Sequence, residues 1–257
     1  MTKLHFLDPH PDGLPAVLLL HGLGANAGSW SLQLPALIEA GFRPIATDVP
    51  GFGASSYDGK GWTIRRMAAE MVGLIEELGT GPVHVVGLSM GGIIAQQFAL
   101  DMPALTRKLV LVSTFAILRP DTISGWLYFL QRFILINTLG LPAQARTVAQ
   151  RVFPSPDNAT LRTMLVETIA RADPRAYRKA MTSLGLFNSV KRLGEIRIPT
   201  LVVTGEDDTT VTPARQQLLV KGIPDARQVI VQNSGHAVPV DQSEIFNRKL
   251  LEFLGEE

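Results

Sequence analysis

The chain contains no cysteine, which excludes a disulfide framework, a thiolate nucleophile and a thiolate metal site. It also lacks any block of one charge sign. Lys and Arg number 24 against 23 Asp and Glu, a net +1, with no run of five basic residues. Wrapping nucleic acid or gripping an anionic membrane needs a concentrated positive field, so neither partner is expected. No stretch reaches the roughly 18 uninterrupted apolar residues of a membrane span. The opening Met1-Thr2-Lys3-Leu4-His5-Phe6-Leu7-Asp8 has no apolar signal core. No membrane span and a cytoplasmic location are therefore the expectations. Apolar residues, at 46% of 257, are plentiful, and they suffice for one large domain, with or without an insertion.

Short apolar runs at residues 16–20, 44–47, 83–86, 109–112, 201–204 and 228–231 are each followed by turn residues, and several alternate with helical patterns. Continuous rather than alternating apolar strands imply a sheet covered on both faces. The fold class is α/β, with a mostly parallel central sheet and helices on both sides. Residues 63–78 put Ile64, Met67, Met71, Leu74 and Ile75 on one helical face, and Gly79 ends the pattern. Thr212-Pro213 reads as the start of another helix, and Asp241 with Glu244 reads as a capping box opening a last helix over 242–254.

Residues 115–193 interrupt this alternation with helical patterns and no convincing strand. Residues 126–136 are apolar almost all the way round, as in a helix that lies between other elements or lines an apolar cavity. Pro154 and Pro156 break the pattern, and two more helices are expected over 158–172 and 174–186. The expected division is a core of residues 1–114 and 194–257 with a helical cap insertion at 115–193.

Gly87-Leu88-Ser89-Met90-Gly91 lies between a strand and a helical run. In that context a Gly-x-Ser-x-Gly turn holds its serine exposed at the C-terminal edge of the sheet, and puts the next amide, that of Met90, where it could donate to an oxyanion. A serine hydroxyl needs a base to become a nucleophile. Of five histidines, His236 in Asn233-Ser234-Gly235-His236 follows the last strand and so reaches the same edge; His84, inside a strand, reads as a packed core residue. A carboxylate should fix the histidine tautomer. Glu206, Asp207 and Asp208 after the strand at 201–204 all qualify.

Together these motifs resemble the capped α/β-hydrolase superfamily. His21-Gly22-Leu23-Gly24, Asp48-Val49-Pro50-Gly51-Phe52-Gly53, the turn at Ser89, Gly205-Glu206-Asp207-Asp208 and Gly235-His236 occur in that superfamily's order over nearly the whole chain. The resemblance implies that Asp208 is the acid of a Ser89-Asp208-His236 triad. It also implies that the Leu23 amide joins that of Met90 as the oxyanion hole, that His21 is structural, and that Asp48 shapes a loop. The superfamily usually has a two-stranded hairpin before the first long strand. Only residues 4–7 fit here, which leaves open whether the first edge strand is present.

The implied reaction is hydrolysis of a carboxylic ester of a small, fairly apolar molecule through an acyl-enzyme on Ser89. Trp126, Phe129 and Val211 are the candidate pocket residues, and no metal or organic cofactor is called for. Dehalogenases and epoxide hydrolases of the superfamily carry a carboxylate nucleophile, which Ser89 excludes. Carbon-carbon bond hydrolases commonly show Asn before the serine and Trp after the histidine, where this chain has Leu88 and Ala237. Enol-lactone hydrolases resemble it equally well around Ser89, and a ligand sensor that keeps the triad is the reading from another class. The sequence offers no motif from which to argue a partner chain or an oligomeric state.

Overall fold

The computed structural model describes residues 3–118 and 123–256. Seven strands, β1 (Phe6–Leu7), β2 (Ala16–Leu20), β3 (Arg43–Thr47), β4 (Val83–Leu88), β5 (Thr106–Val112), β6 (Thr200–Gly205) and β7 (Ala226–Val231), form one sheet in the order β1-β3-β2-β4-β5-β6-β7. Every neighbouring pair is parallel except β1 and β3, where Phe6 opposes Thr47 and Leu7 opposes Ala46. The sparse N-terminal signal thus does yield an edge strand, two residues long.

Continuous apolar strands work here because alternate residues feed two cores. In β2, Leu18 and Leu20 pack on one face with Met67, Met71, Ile93 and Phe98, whereas Val17 and Leu19 pack on the other with Leu37, Phe246 and Leu250. The first face is covered by α2 (Ile64–Glu77) and α3 (Met90–Asp101), the second by α1 (Leu34–Glu39). Helix α2 starts where expected: the Thr63 side chain accepts a hydrogen bond from the Arg66 amide at 3.2 Å.

Between β5 and β6 the described residues contain four α-helices, α4 (Ile123–Thr138), α5 (Gly140–Val152), α6 (Ala159–Ala170) and α7 (Pro174–Leu186), with two short 3-10 turns and no strand. The segment leaves and returns at one place: Ile117 bridges Asn188, and the Ser189 amide donates to the Ala116 carbonyl at 2.9 Å. Helix α5 is not among the helices expected from the sequence; its Pro142 stands in the first turn, which tolerates proline. No helix of the described residues is long and apolar enough to cross a membrane.

After β6 come α8 (Pro213–Gly222), α9 (Val238–Asp241) and α10 (Ser243–Gly255), the last against the second face of the sheet. The capping box expected at Asp241 is not formed. Asp241 ends α9, and its carboxylate turns back to accept from the Gly235 amide at 2.8 Å; Gln242 precedes α10 without a side-chain cap.

Candidate active site

From β2 the chain crosses to β3 on one side, and from β4 it crosses to β5 on the other, although β2 and β4 are paired, Leu20 opposite Gly87. The crevice outside the C-terminal ends of two such strands is where open α/β sheets bind ligands. Gly22 and Leu23 follow β2 there, and Ser89 follows β4.

Ser89 takes φ 53° and ψ −110°, a left-handed conformation that costs a non-glycine residue free energy and must be imposed by its surroundings. Bonds from both flanks impose it. The Ser89 amide donates to the Val112 carbonyl at 2.9 Å, and Thr114 Oγ1 donates to the Ser89 carbonyl at 2.7 Å. The flanking glycines are required by close approach: a Cβ on Gly87 would lie 2.3 Å from the Gly91 oxygen, and one on Gly91 would lie 2.0 Å from the Leu20 oxygen. The turn can therefore press α3 against the strand ends only with glycine at both places.

His236 is nearly buried at 8% exposure, and Asp208 is buried at 2%. Asp208 Oδ2 lies 2.9 Å from His236 Nδ1, while its Oδ1 accepts from the Thr210 and Val211 amides at 2.8 and 2.9 Å. A carboxylate already accepting two amide hydrogens favours a proton on Nδ1 and leaves Nε2 as the basic nitrogen. Glu206 and Asp207 are exposed. Of the three carboxylates the sequence offered, Asp208 alone is hydrogen-bonded to the histidine.

Ser89 and His236 line one cavity of about 270 Å³, with Leu23, Phe129 and Val211 among its walls. No hydrogen bond joins Ser89 to His236 among the described residues; such bonds often close only around a substrate. The Leu23 and Met90 amides follow β2 and open α3, and neither donates to an acceptor among the described residues. Trp126 departs from expectation. Gly125, Tyr128, Phe129 and Arg132 form the stripe of α4 that faces the cavity, whereas Trp126 is 59% exposed on another side of the helix. An all-round apolar pattern carries no periodicity from which to choose the inward stripe.

A sequence model described as the alpha/beta hydrolase family matches residues 17–249. The chain belongs to that family. Among its relatives is the protein named "Putative carbamate hydrolase RutD" of Variovorax paradoxus (strain S110), 34% identical, with 98% of this chain and 96% of that one aligned. The enol-lactonase of Burkholderia xenovorans LB400 superimposes with a TM-score of 0.90 at 25% identity, covering 99% and 97% of the two chains. A thermophilic esterase from Thermogutta terrifontis gives a TM-score of 0.87 at 28% identity, covering 98% and 93%.

In this alpha/beta hydrolase the other motif residues hold the site's walls. His21 Nδ1 donates to the Gly22 carbonyl at 2.8 Å and Nε2 accepts from the Val49 amide at 3.0 Å, tying the loops after β2 and β3 together. Burial pushes its pKa down, so the ring stays neutral as this pairing requires. Asp48 shapes its loop by accepting from the Ala27 amide at 2.6 Å and the Ala54 amide at 2.8 Å. His84 is buried against Phe42, as expected of a core histidine.

Several residues at the candidate site carry no signal in the sequence. Asp241 holds the Gly235 amide next to His236, and burial raises its pKa; its spacing to Glu244 imitated a helix cap. Arg132 and Arg151 line the cavity from α4 and α5, and no motif marks an isolated arginine on a helix.

Proposed function

We propose that this protein is a serine hydrolase that cleaves a carboxylic ester, lactones included, through an acyl-enzyme on Ser89. The observation that carries the reading is the Asp208–His236 pair lining the same cavity as a serine held at a strained strand-to-helix turn. Ser89 Oγ attacks the carbonyl carbon while His236 Nε2 takes its proton. The Leu23 and Met90 amides receive the oxyanion, which collapses as His236 returns the proton to the leaving alcohol. Water then attacks the acyl-enzyme by the same route and releases the acid. Asp208 keeps the imidazole in its working tautomer and stabilises its cation.

The helices α4 to α7 act as a cap over this site, inserted at 115–193 into a core of residues 1–114 and 194–257. A cavity of about 270 Å³ lies just below the usual range for drug-sized ligands and fits a small substrate. The similarity to an enol-lactonase and an esterase supports ester cleavage. The 34% identity to a named carbamate hydrolase supports a second reading, in which the same groups attack a carbamate carbonyl.

A panel of 4-nitrophenyl esters, lactones and carbamates, run beside Ser89→Ala, tests both readings. We expect sustained turnover with at least one class and a loss on the order of 10⁴-fold or more in Ser89→Ala. Turnover retained in that variant would overturn the assignment. A single stoichiometric burst would identify a sensor instead of an enzyme.

A further inference from the structure

Arg132 reaches from α4 into the cavity that contains Ser89 and His236, and it also lines an adjoining cavity of about 380 Å³ between α4 and α7. A guanidinium cannot shed its charge in a protein, so withdrawing it from bulk water calls for strong acceptors. Those beside Arg132 are neutral. Its Nη2 donates to the Tyr177 hydroxyl at 3.3 Å, and the Gln144 side-chain oxygen, turned toward the guanidinium, accepts from Nε at 2.7 Å and Nη2 at 3.0 Å.

A second cation stands close by. The Tyr128 ring has the Arg132 guanidinium 5.7 Å from its centre and that of Arg151 at 4.7 Å. Arg151 donates to the Thr209 carbonyl, and its buried Nε has no acceptor among the described residues. Neither arginine forms an ion pair among those residues, and no Asp or Glu is among the described residues that line the cavity. Arg43, by contrast, meets Asp8 at 2.6 Å, and Arg66 meets Asp58 at 2.9 Å. Three arginines, Arg132, Arg151 and Arg215, line the cavity; the first two meet no carboxylate among the described residues, and low-dielectric walls concentrate the positive field they set up.

We propose that the substrate is itself an anion, an ester or lactone bearing a free carboxylate that Arg132, seconded by Arg151, holds while the scissile carbonyl lies at Ser89. Planar guanidinium and carboxylate match in shape, and such charge-assisted bonds are the stronger kind. The proposal rests on the reading of Ser89 as the nucleophile. It adds that the cap selects by charge as well as by apolar fit.

The test compares mono-4-nitrophenyl esters of six- and eight-carbon dicarboxylic acids with 4-nitrophenyl alkanoates of the same length. The wild-type protein should favour the anionic ester by about tenfold or more in kcat/KM, and added salt should weaken that preference. Arg132→Met should lower the ratio of anionic to neutral kcat/KM by on the order of 100-fold. Arg132→Lys, which keeps a charge without the fork, should fall between, and Arg132→Gln takes the place of the Met variant should that one fail to fold. Arg65→Gln, far out on α2, should leave the ratio alone. A wild type indifferent to the carboxylate, or an Arg132 variant that slows both esters alike, would overturn the proposal and leave Arg132 as a tie between α4, α5 and α7.

Binding separates this claim from the catalytic one. Adipate should bind the Ser89→Ala protein by calorimetry and fail to bind once Arg132→Met is added. Binding that depends on Arg132 without hydrolysis of any ester would refute the hydrolase reading and keep the anion site. Hydrolysis without either binding or preference would do the reverse.

Discussion

The C-terminal edge of the sheet and the helical segment above it contribute to one cavity in different ways. At the sheet edge the groups are pinned: Ser89 by bonds to Val112 and Thr114, and Asp208 by two amides. The helical segment offers a face of α4 on which Phe129 and Arg132 line the cavity while Leu127, Leu130 and Phe133 are more than half exposed. A substitution at the edge should therefore act on every substrate alike. One in the segment should redistribute preference among substrates, because its side chains meet the part of the molecule that does not react.

The sharpest attempt to break that contrast is Asp208→Asn. It should lower kcat about 10⁴-fold for every ester in a panel, since the wrong imidazole tautomer disables the base whatever the acyl group. Steady-state kinetics showing a selective loss would mean that Asp208 shapes the pocket instead. Next comes Gly91→Ala. The added Cβ would lie 2.0 Å from the Leu20 oxygen and 2.9 Å from the His21 oxygen, both backbone atoms, and urea unfolding should register a loss of about 3 kcal/mol.

The buried sheet should also make stability depend on pH. His84, on β4, has its pKa lowered to about 4, chiefly by burial and further by Lys108 and Arg107. The unfolded chain takes up this proton near pH 6.5 and the folded chain resists it until about pH 4. Stability is therefore complete above pH 6.5 and drains away toward pH 4, by up to about 3 kcal/mol. His84→Leu should flatten the slope of unfolding free energy over that interval, and an unchanged slope would place the sensitivity elsewhere. The smallest effect is expected from Phe129→Ala on α4: a shift of several-fold in acyl-length preference with kcat on the best substrate within about tenfold. A uniform loss across the panel would erase the distinction between edge and segment.

That distinction also governs what the sequence disclosed. Strands buried on both faces read as unbroken apolar runs, and the turn at Ser89 leaves glycines at fixed offsets because backbone contact forbids a side chain. Asp208 could be separated from Glu206 and Asp207 only through family resemblance. Its distinction is the 2.9 Å contact with His236, a relation between loops distant in the chain. The helices between β5 and β6 were foreseen in part. Which stripe of α4 turns inward was not, and Trp126 was misplaced for that reason. Arg132 acquires meaning only from the lack of a carboxylate beside it among the described residues, and no local pattern encodes an absence.

The order of the strands has a consequence for biosynthesis. Ser89 belongs to the first half of the chain, whereas Asp208 and His236 follow the helical segment and sit after β6 and β7 at the far side of the sheet. A nascent chain that has folded through β5 and Thr114 already holds its serine turn, yet His236 does not join it until the last strand is translated and docked. On the proposed mechanism the partly made protein is chemically silent, and its competence arrives in one late step, with the closure of contacts between distant parts of the chain.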